Sequence, residues 1–591
     1  MTKVIIIGGG VAGMSAAHEL VERGFEVEVY EHKKVYVGGK ARSVNVQGTN
    51  LMHPDKYLPG EHGFRFFPGF YKHVTDTMKR IPFTNLDGTK NKNGVFDNLT
   101  HTTEIELTRY DMAPIKVLAN FPKTLKDIKL VVHDMFGGVH SGLTHEEKVF
   151  FAERIWQLMI TSSARKNEQY EKESWWDYLK ADRFSENYRH LLVQGLTRTL
   201  VAARAEIASM KTGSSITLQL MYNMLNPGVA VDRVLNGPTN EKWLNPWHDY
   251  LVSKGVKYFK HHTGIGFETN HDKTIAYARV KDPNGTELQI KGDYYILCTP
   301  VEKAVDLIDE KMLDMDNQFK FLGKLAESTA WMNGIQFYLN EDVEMAHGHV
   351  CHSYTEWALT SIAQKQFWKD YDLSERYNGK VKGILSVDIS DWVDTKYQSI
   401  NDKKAVPVLA EDCKPEEVKT LVWEQLKRSV NVNGAEILKD EMIEFWYLDR
   451  DIKWIDEVHH SENKEPLLVN SINSWSLRPT TYTNIPNFFL AADYVRTNTD
   501  LATMEGANEA ARRAVNDIIS SSNSNATLCD IWPLSEPSLF NLLKWHDKKR
   551  YEKGLDFSLK LPLWIEICMV IYTPVWILYS FVTAKLKSLW K

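Results

Sequence analysis

The apolar positions at the start of the chain fall into short runs of different period. Val4-Ile5-Ile6-Ile7 is continuous and β-branched, the pattern of a strand buried on both faces. After Gly8-Gly9-Gly10-Val11-Ala12-Gly13, apolar residues recur at helical spacing (Met14, Ala17, Leu20, Val21) until Gly24 closes the helix. Val27-Glu28-Val29-Tyr30 predicts a second strand ending at Glu31. Farther on, Asp293-Tyr294-Tyr295-Ile296-Leu297-Cys298 predicts another strand, while Thr144-x-x-Glu147 and Ser174-x-x-Asp177 predict the N-caps of two helices. Leu561 to Val582 is apolar apart from Glu566 and a few small polar groups.

Composition narrows the class only a little. At 591 residues the chain exceeds one core and predicts several domain-sized units. A net charge of -6 without a basic stripe gives no electrostatic case for nucleic acid. The five cysteines show no CxxC or paired spacing, so a reduced compartment is expected rather than a disulfide framework. No basic segment followed by an apolar run opens the chain, and no secretory signal is expected.

The opening pattern carries the strongest chemistry. In a strand–glycine loop–helix unit, Gly8 permits the tight turn, Gly10 lets backbone approach a pyrophosphate, and Gly13 lets helix and strand pack closely. The helix start at Val11 and Ala12 offers free N–H groups and the positive end of the helix dipole to phosphate. Glu31, with His32 beside it, is placed to accept hydrogen bonds from ribose hydroxyls, which argues against a 2'-phosphate and hence against NADP. The expectation is a dinucleotide site in an α/β fold.

Two further segments resemble the flavin amine oxidase and carotenoid desaturase superfamily. Val37-Gly38-Gly39-Lys40-Ala41-Arg42-Ser43 resembles its GGxxRS segment, in which Arg42 would offer a cationic fork to phosphate. Asn487-Phe488-Phe489-Leu490-Ala491-Ala492-Asp493 and Met504-Glu505-Gly506-Ala507 resemble its closing motif. There Asp493 would hold the ribityl–phosphate region and Met504 would open a helix under the flavin pyrimidine. Ala492 and Glu509-Ala510 depart from the usual glycine and Ser-Gly. The resemblance implies FAD, with Ile265 near the adenine. It also implies a discontinuous Rossmann-type FAD-binding domain from 1–75, 235–300 and 485–520, an α+β substrate domain from 76–234 and 301–484, and a linker and hydrophobic helical tail over 521–591.

Glu61-His62-Gly63-Phe64-Arg65-Phe66-Phe67-Pro68-Gly69-Phe70-Tyr71 resembles the branch holding phytoene and ζ-carotene desaturases, carotene isomerases and hydroxysqualene dehydroxylases. Gly63 and Phe64 would border the cofactor. His62 and Arg65 would lie near the flavin as proton carrier and fixed positive charge, or belong to a loop that only contacts FAD. The resemblance implies an oxidoreductase acting on a long apolar isoprenoid, carotenoid or fatty-acyl substrate. Desaturation, isomerisation or dehydroxylation remain open, as do the alternatives of an amine oxidase and a non-catalytic prenyl-lipid escort protein. No second GxGxxG appears, so electrons would pass to a quinone, to oxygen or back to the substrate.

Other clusters predict less. His347, His349, Cys351 and His352 alternate on a predicted strand, but their spacing fits no standard zinc pattern and no metal is expected. Trp175-Trp176 and Trp243 to Trp247 are core or the wall of an apolar tunnel. The tail is long enough for a bilayer core, although Glu566, Pro562 and Pro574 oppose a simple span. A docked core helix is the alternative. The expected location is the cytoplasmic side of a membrane, peripheral or tail-anchored.

Overall fold

The continuous apolar run at residues 4–7 can be satisfied only if both faces of its strand are covered. The computed structural model, which describes residues 1–50, 53, 56–63, 65–118, 141–195, 197–198, 203–224, 230–393 and 408–589, covers both. Lys3–Ile7 is the central strand of a five-stranded parallel sheet ordered Phe488–Leu490, Tyr294–Leu297, Lys3–Ile7, Glu26–Glu31, Lys257–Lys260. Three distant stretches of chain therefore close one sheet.

On one face of this sheet, helix Val11–Val21 packs with helix Met504–Ser521. Both supply small residues to the shared core (Ala16 and Ala17; Ala507, Ala511 and Ala514), so the helices approach closely. Trp243 and Trp247 fill the same core, stacked at 5.9 Å, and Trp247 Nε1 donates to His18 Nδ1 at 3.0 Å. Trp175 lies in a separate helical core. These tryptophans are core residues and do not line the cavity. The other face of the sheet is covered by an antiparallel meander (Thr263–Thr269, Ile275–Lys281, Glu287–Ile290) and helix Val301–Leu307.

A seven-stranded mixed sheet forms the second body, ordered Ile443–Leu448, Asn333–Leu339, Gly383–Ile389, Leu359–Ala363, Val350–His352, Glu104–Arg109, Met112–Leu118. Its alternation is clean. Ile335, Phe337, Leu359, Leu385, Val387 and Ile389 face helix Pro415–Val430, leaving the opposite face for the site. Thr144 and Ser174 are N-caps as their spacing predicts, and Thr144 with Glu147 forms a full capping box.

The segment after residue 521 is seated rather than a free linker. Asn516 brackets Cys529, accepting from its N–H at 2.6 Å and donating to its carbonyl at 3.0 Å, and the Trp532 N–H donates to His73 Nε2 at 3.0 Å. The tail forms helix Leu563–Leu589 with Pro574 inside it. Ile565 is buried and Leu561 and Met569 pack against the helical core around Trp175 and Phe540. Among the described residues, no helix is long and apolar enough to cross a membrane.

Candidate functional site: a nucleotide cradle opening into a chamber

The turn between the first strand and the first helix makes the cradle. Gly8 has a φ of +105°, and a Cβ there would meet the Cys298 carbonyl oxygen at 2.8 Å, so backbone and space both demand glycine. A Cβ on Gly13 would lie 1.9 Å from the Gly8 carbonyl oxygen, which makes it a packing glycine behind the wall. Gly10 differs. The nearest protein atom to a Cβ there is Gly39 Cα at 3.8 Å, so the protein itself does not need glycine at this position. The space belongs to the cavity, whose wall includes Gly8, Gly10, Val11 and Ala12 at a helix N-terminus suited to phosphate.

Glu31 and His32 line the same cavity. The Glu31 carboxylate accepts from the Gly9 and Lys33 N–H groups, each at 2.7 Å. Burial would raise its pKa, but the His32 imidazole 2.9 Å away and these two N–H groups outweigh it and hold the carboxyl below its ordinary value. An ionised carboxylate beside the cradle fits ribose hydroxyls and repels a 2'-phosphate. Tyr258, which carries no signal in the sequence, donates its hydroxyl to the Gly9 carbonyl at 2.7 Å and braces the loop.

Gly39, Lys40 and Ala41 line the wall opposite, and the Lys40 ammonium pairs with Glu302 at 2.7 Å. Arg42 corrects the expectation of a phosphate fork. It lies off the cavity wall, its guanidinium bound by Asp451 and, at 2.6 Å, by Glu465. Those partners lie more than four hundred residues downstream, beyond any local pattern. Ile265 is half-buried in strand Thr263–Thr269 and off the wall as well, at a break in the strand's pairing between Gly264 and Gly266. Phe64 lies outside the described residues.

The closing motif returns to the cavity: Asp493 and Met504 line it, with Met504 opening an 18-residue helix capped by Thr503. Ala492 does not take a positive φ, so its methyl is tolerated. Glu509 is buried and structural. It accepts from the Asn498 N–H at 2.8 Å and pairs with Arg513 at 2.7 Å, pinning the loop after Asp493.

His62, Gly63 and Arg65 are also on the wall. His62 Nδ1 lies 2.5 Å from Asp449, and Arg65 donates to the Gly63 and Lys40 carbonyls at 2.8 and 2.6 Å. Arg65 is thereby immobilised as a fixed charge, while Glu61 and Asp388 oppose the lowering of its pKa by burial. His62, Asp449 and Asp451 bring ligand-type atoms within 4.8 Å of one another. Arg42 already neutralises this group, pairing with Asp451 and helping to lower the Asp449 pKa.

Beyond the cradle the cavity, about 610 Å³ in all, widens into a chamber with Ile105, Ile216, Leu220, Val231 and Met332 on its wall. Its floor is the free face of the seven-stranded sheet, and Asp232 and His349 line it as well. The alternating His/Cys segment is divided between environments. His352 is fully buried between Thr108 and Ser361, at 2.9 and 2.8 Å, while His347 bonds Thr103 at 3.1 Å.

Comparison with known proteins agrees with this geometry. A model of the NAD(P)-binding Rossmann-like domain matches residues 6–81. A ζ-carotene desaturase of Zea mays is 39% identical over 84 residues, 14% of this chain and 13% of that protein. The 15-cis-phytoene desaturase of Synechococcus elongatus is 22% identical over 306 residues, 51% of this chain and 58% of that protein. The chain thus spans about an eighth of the ζ-carotene desaturase and somewhat over half of the phytoene desaturase. Among solved structures, an oxidoreductase from Methanosarcina mazei (TM-score 0.55, 13% identity) and putrescine oxidase bound to putrescine (TM-score 0.55, 12% identity) each cover 88% of this chain. The alignments take in 100% and 99% of those two proteins, and at such identities they show the fold. In the sequence of its cradle the chain is thus similar to carotenoid desaturases, and in its fold to putrescine oxidase.

Proposed function

We propose that the protein is an FAD-dependent oxidoreductase acting on a long, largely apolar isoprenoid-type substrate, by desaturation or a related hydride-shuttling isomerisation or dehydroxylation. One observation carries this reading: the nucleotide cradle and the chamber with Ile216, Leu220 and Val231 on its wall are one continuous cavity. Bound FAD supplies the two-electron acceptor for such chemistry.

The chain's own residues orient and enclose. Gly10 and the start of helix Val11–Val21 receive the pyrophosphate, Glu31 the ribose, and Asp493 and Met504 the flavin end. Arg65 holds a fixed positive charge on the wall, and His62, held by Asp449, is the proton carrier nearest the Gly63 turn. Reoxidation would use a quinone or oxygen. Against amine oxidation stands the apolar wall of the chamber, where Ile105, Ile216, Leu220, Val231 and Met332 offer an ammonium no partner.

We propose a peripheral membrane location on the cytoplasmic side, and the tail supports the membrane contact. Trp564, Ile567, Ile571 and Val575 are 50%, 52%, 66% and 60% exposed, while Ile565 on the opposite side is buried. By the 3.6-residue period Glu566 lies about 100° outside this arc, and it is itself exposed, so it can stay in water. A helix docked by one face and apolar on the other suits the interface of a bilayer.

Mass spectrometry of lipids that co-purify with the flavin-bearing protein tests the reading. Isoprenoid-type lipid with bound flavin is expected. Flavin with no lipid would contradict the chamber's role, and lipid with no flavin after FAD addition would favour a non-catalytic lipid escort.

A further inference from the structure

The chamber contains a hydrogen-bonding pair that a hydrocarbon substrate would not use. Asp232 and His349 are buried on its wall, 4% and 5% exposed, and their Oδ2 and Nδ1 atoms lie 2.9 Å apart. The pair is held from behind. The Arg233 N–H donates to Asp232 Oδ1 at 2.7 Å, and the Glu106 N–H donates to the His349 carbonyl at 2.9 Å. Phe66 stands edge-on to the imidazole at 5.7 Å and lies near Tyr71. Tyr71 lines the same cavity wall as Thr503 and Met504. The pair therefore belongs to the end of the chamber nearest the cofactor's closing motif.

The polar character continues across the floor. Cys351, two residues beyond His349, is the register partner of Thr360, and Thr360 is the register partner of Asp388. All three side chains lie on the wall. A pure hydrocarbon packed here would strip water from a carboxyl–imidazole pair and a polar row without returning a hydrogen bond, which is unfavourable. The pair presents an acceptor and an imidazole together. That combination suits a group that both donates and accepts, such as a hydroxyl, better than an ammonium, which only donates.

We propose that the Asp232–His349 pair is the specificity-determining anchor of the chamber, and that the substrate is an isoprenoid-type chain bearing a hydroxyl oxygen rather than a pure hydrocarbon. This rests on the lipid-chamber reading above and adds the substrate class to it.

The test is a binding titration that needs no turnover. Detergent-solubilised holoprotein is titrated with geranylgeraniol and with the oxygen-free hydrocarbon of the same carbon skeleton, and the shift of the bound flavin's visible spectrum is read. Wild-type protein should bind the alcohol about tenfold more tightly than the hydrocarbon, the scale of a well-made hydrogen bond. The double variant Asp232→Leu/His349→Phe removes both polar groups together, leaving neither buried without the other. It should lose the preference while binding the hydrocarbon at least as well as wild type. Equal wild-type affinity for the two probes, or an unchanged preference in the double variant, would overturn the inference and leave the lipid chamber standing. Failure of both probes to bind would overturn the chamber and the inference together. If the double variant does not retain flavin, the wild-type comparison alone decides.

Discussion

Glu505 and His73 are joined across 432 positions of sequence: His73 Nδ1 lies 2.7 Å from the Glu505 carboxylate, which also accepts from the backbone N–H groups of Lys72, His73 and Val74. Because His73 Nε2 accepts from the Trp532 N–H, Nδ1 carries the proton and donates. The carboxylate thus caps helix His73–Arg80 and ties it to the helix that opens at Met504. Glu505→Gln replaces one acceptor oxygen with a donor that faces other donors. The expected cost is about 2–4 kcal/mol of stability, read as a lower thermal midpoint of the holoprotein. An unchanged midpoint would show that the cap is dispensable.

Acid should weaken the fold partly through one core histidine. Burial lowers His352 from 6.5 to about 3, so protonation favours the unfolded chain. Its contribution is complete above about pH 6.5 and is lost as the pH falls toward 3, at about 1.4 kcal/mol per pH unit. His352→Gln should flatten the stability profile between those limits relative to wild type. Parallel profiles would contradict this origin.

The glycines of the cradle should separate into two kinds. Gly10→Val places a side chain where the protein has room and a pyrophosphate needs it, so the variant should fold, with a normal far-ultraviolet spectrum, and carry no flavin. Gly13→Val collides with the Gly8 carbonyl and should fail to accumulate as folded protein. Normal flavin content in Gly10→Val would contradict the cradle.

For the tail, the docking of Ile565 and Met569 argues against deleting it, since truncation would open the helical core. Charging the exposed arc leaves that face intact. Ile567→Asp/Ile571→Asp should lower affinity for phospholipid vesicles more than about tenfold, given the apolar area withdrawn from the bilayer, and leave flavin content unchanged. Unaltered vesicle binding would remove the tail from the membrane account.

What can be read from the chain follows from distance along it. Gly8, Gly10, Gly13 and Glu31 sit in one strand–helix–strand unit whose periods differ, so the cradle is legible from local pattern. Asp493 and Met504 are reachable through a motif with recognisable neighbours. The partners of Arg42 and Glu505, by contrast, lie hundreds of residues away and are set by tertiary packing. A lone Asp232 or a His349 in an alternating His/Cys run looks like any polar residue until the sheet brings both to one wall. The same limit applies to Ile265, which falls at a break in strand pairing that no local pattern states.

The most direct test of the central claim is anaerobic mixing of the FAD-bearing protein with an isoprenoid lipid extract on one side and putrescine on the other, followed through the flavin's visible absorbance. Bleaching by the lipid extract and none by putrescine is expected. Bleaching by putrescine alone would contradict it, moving the protein to amine oxidation.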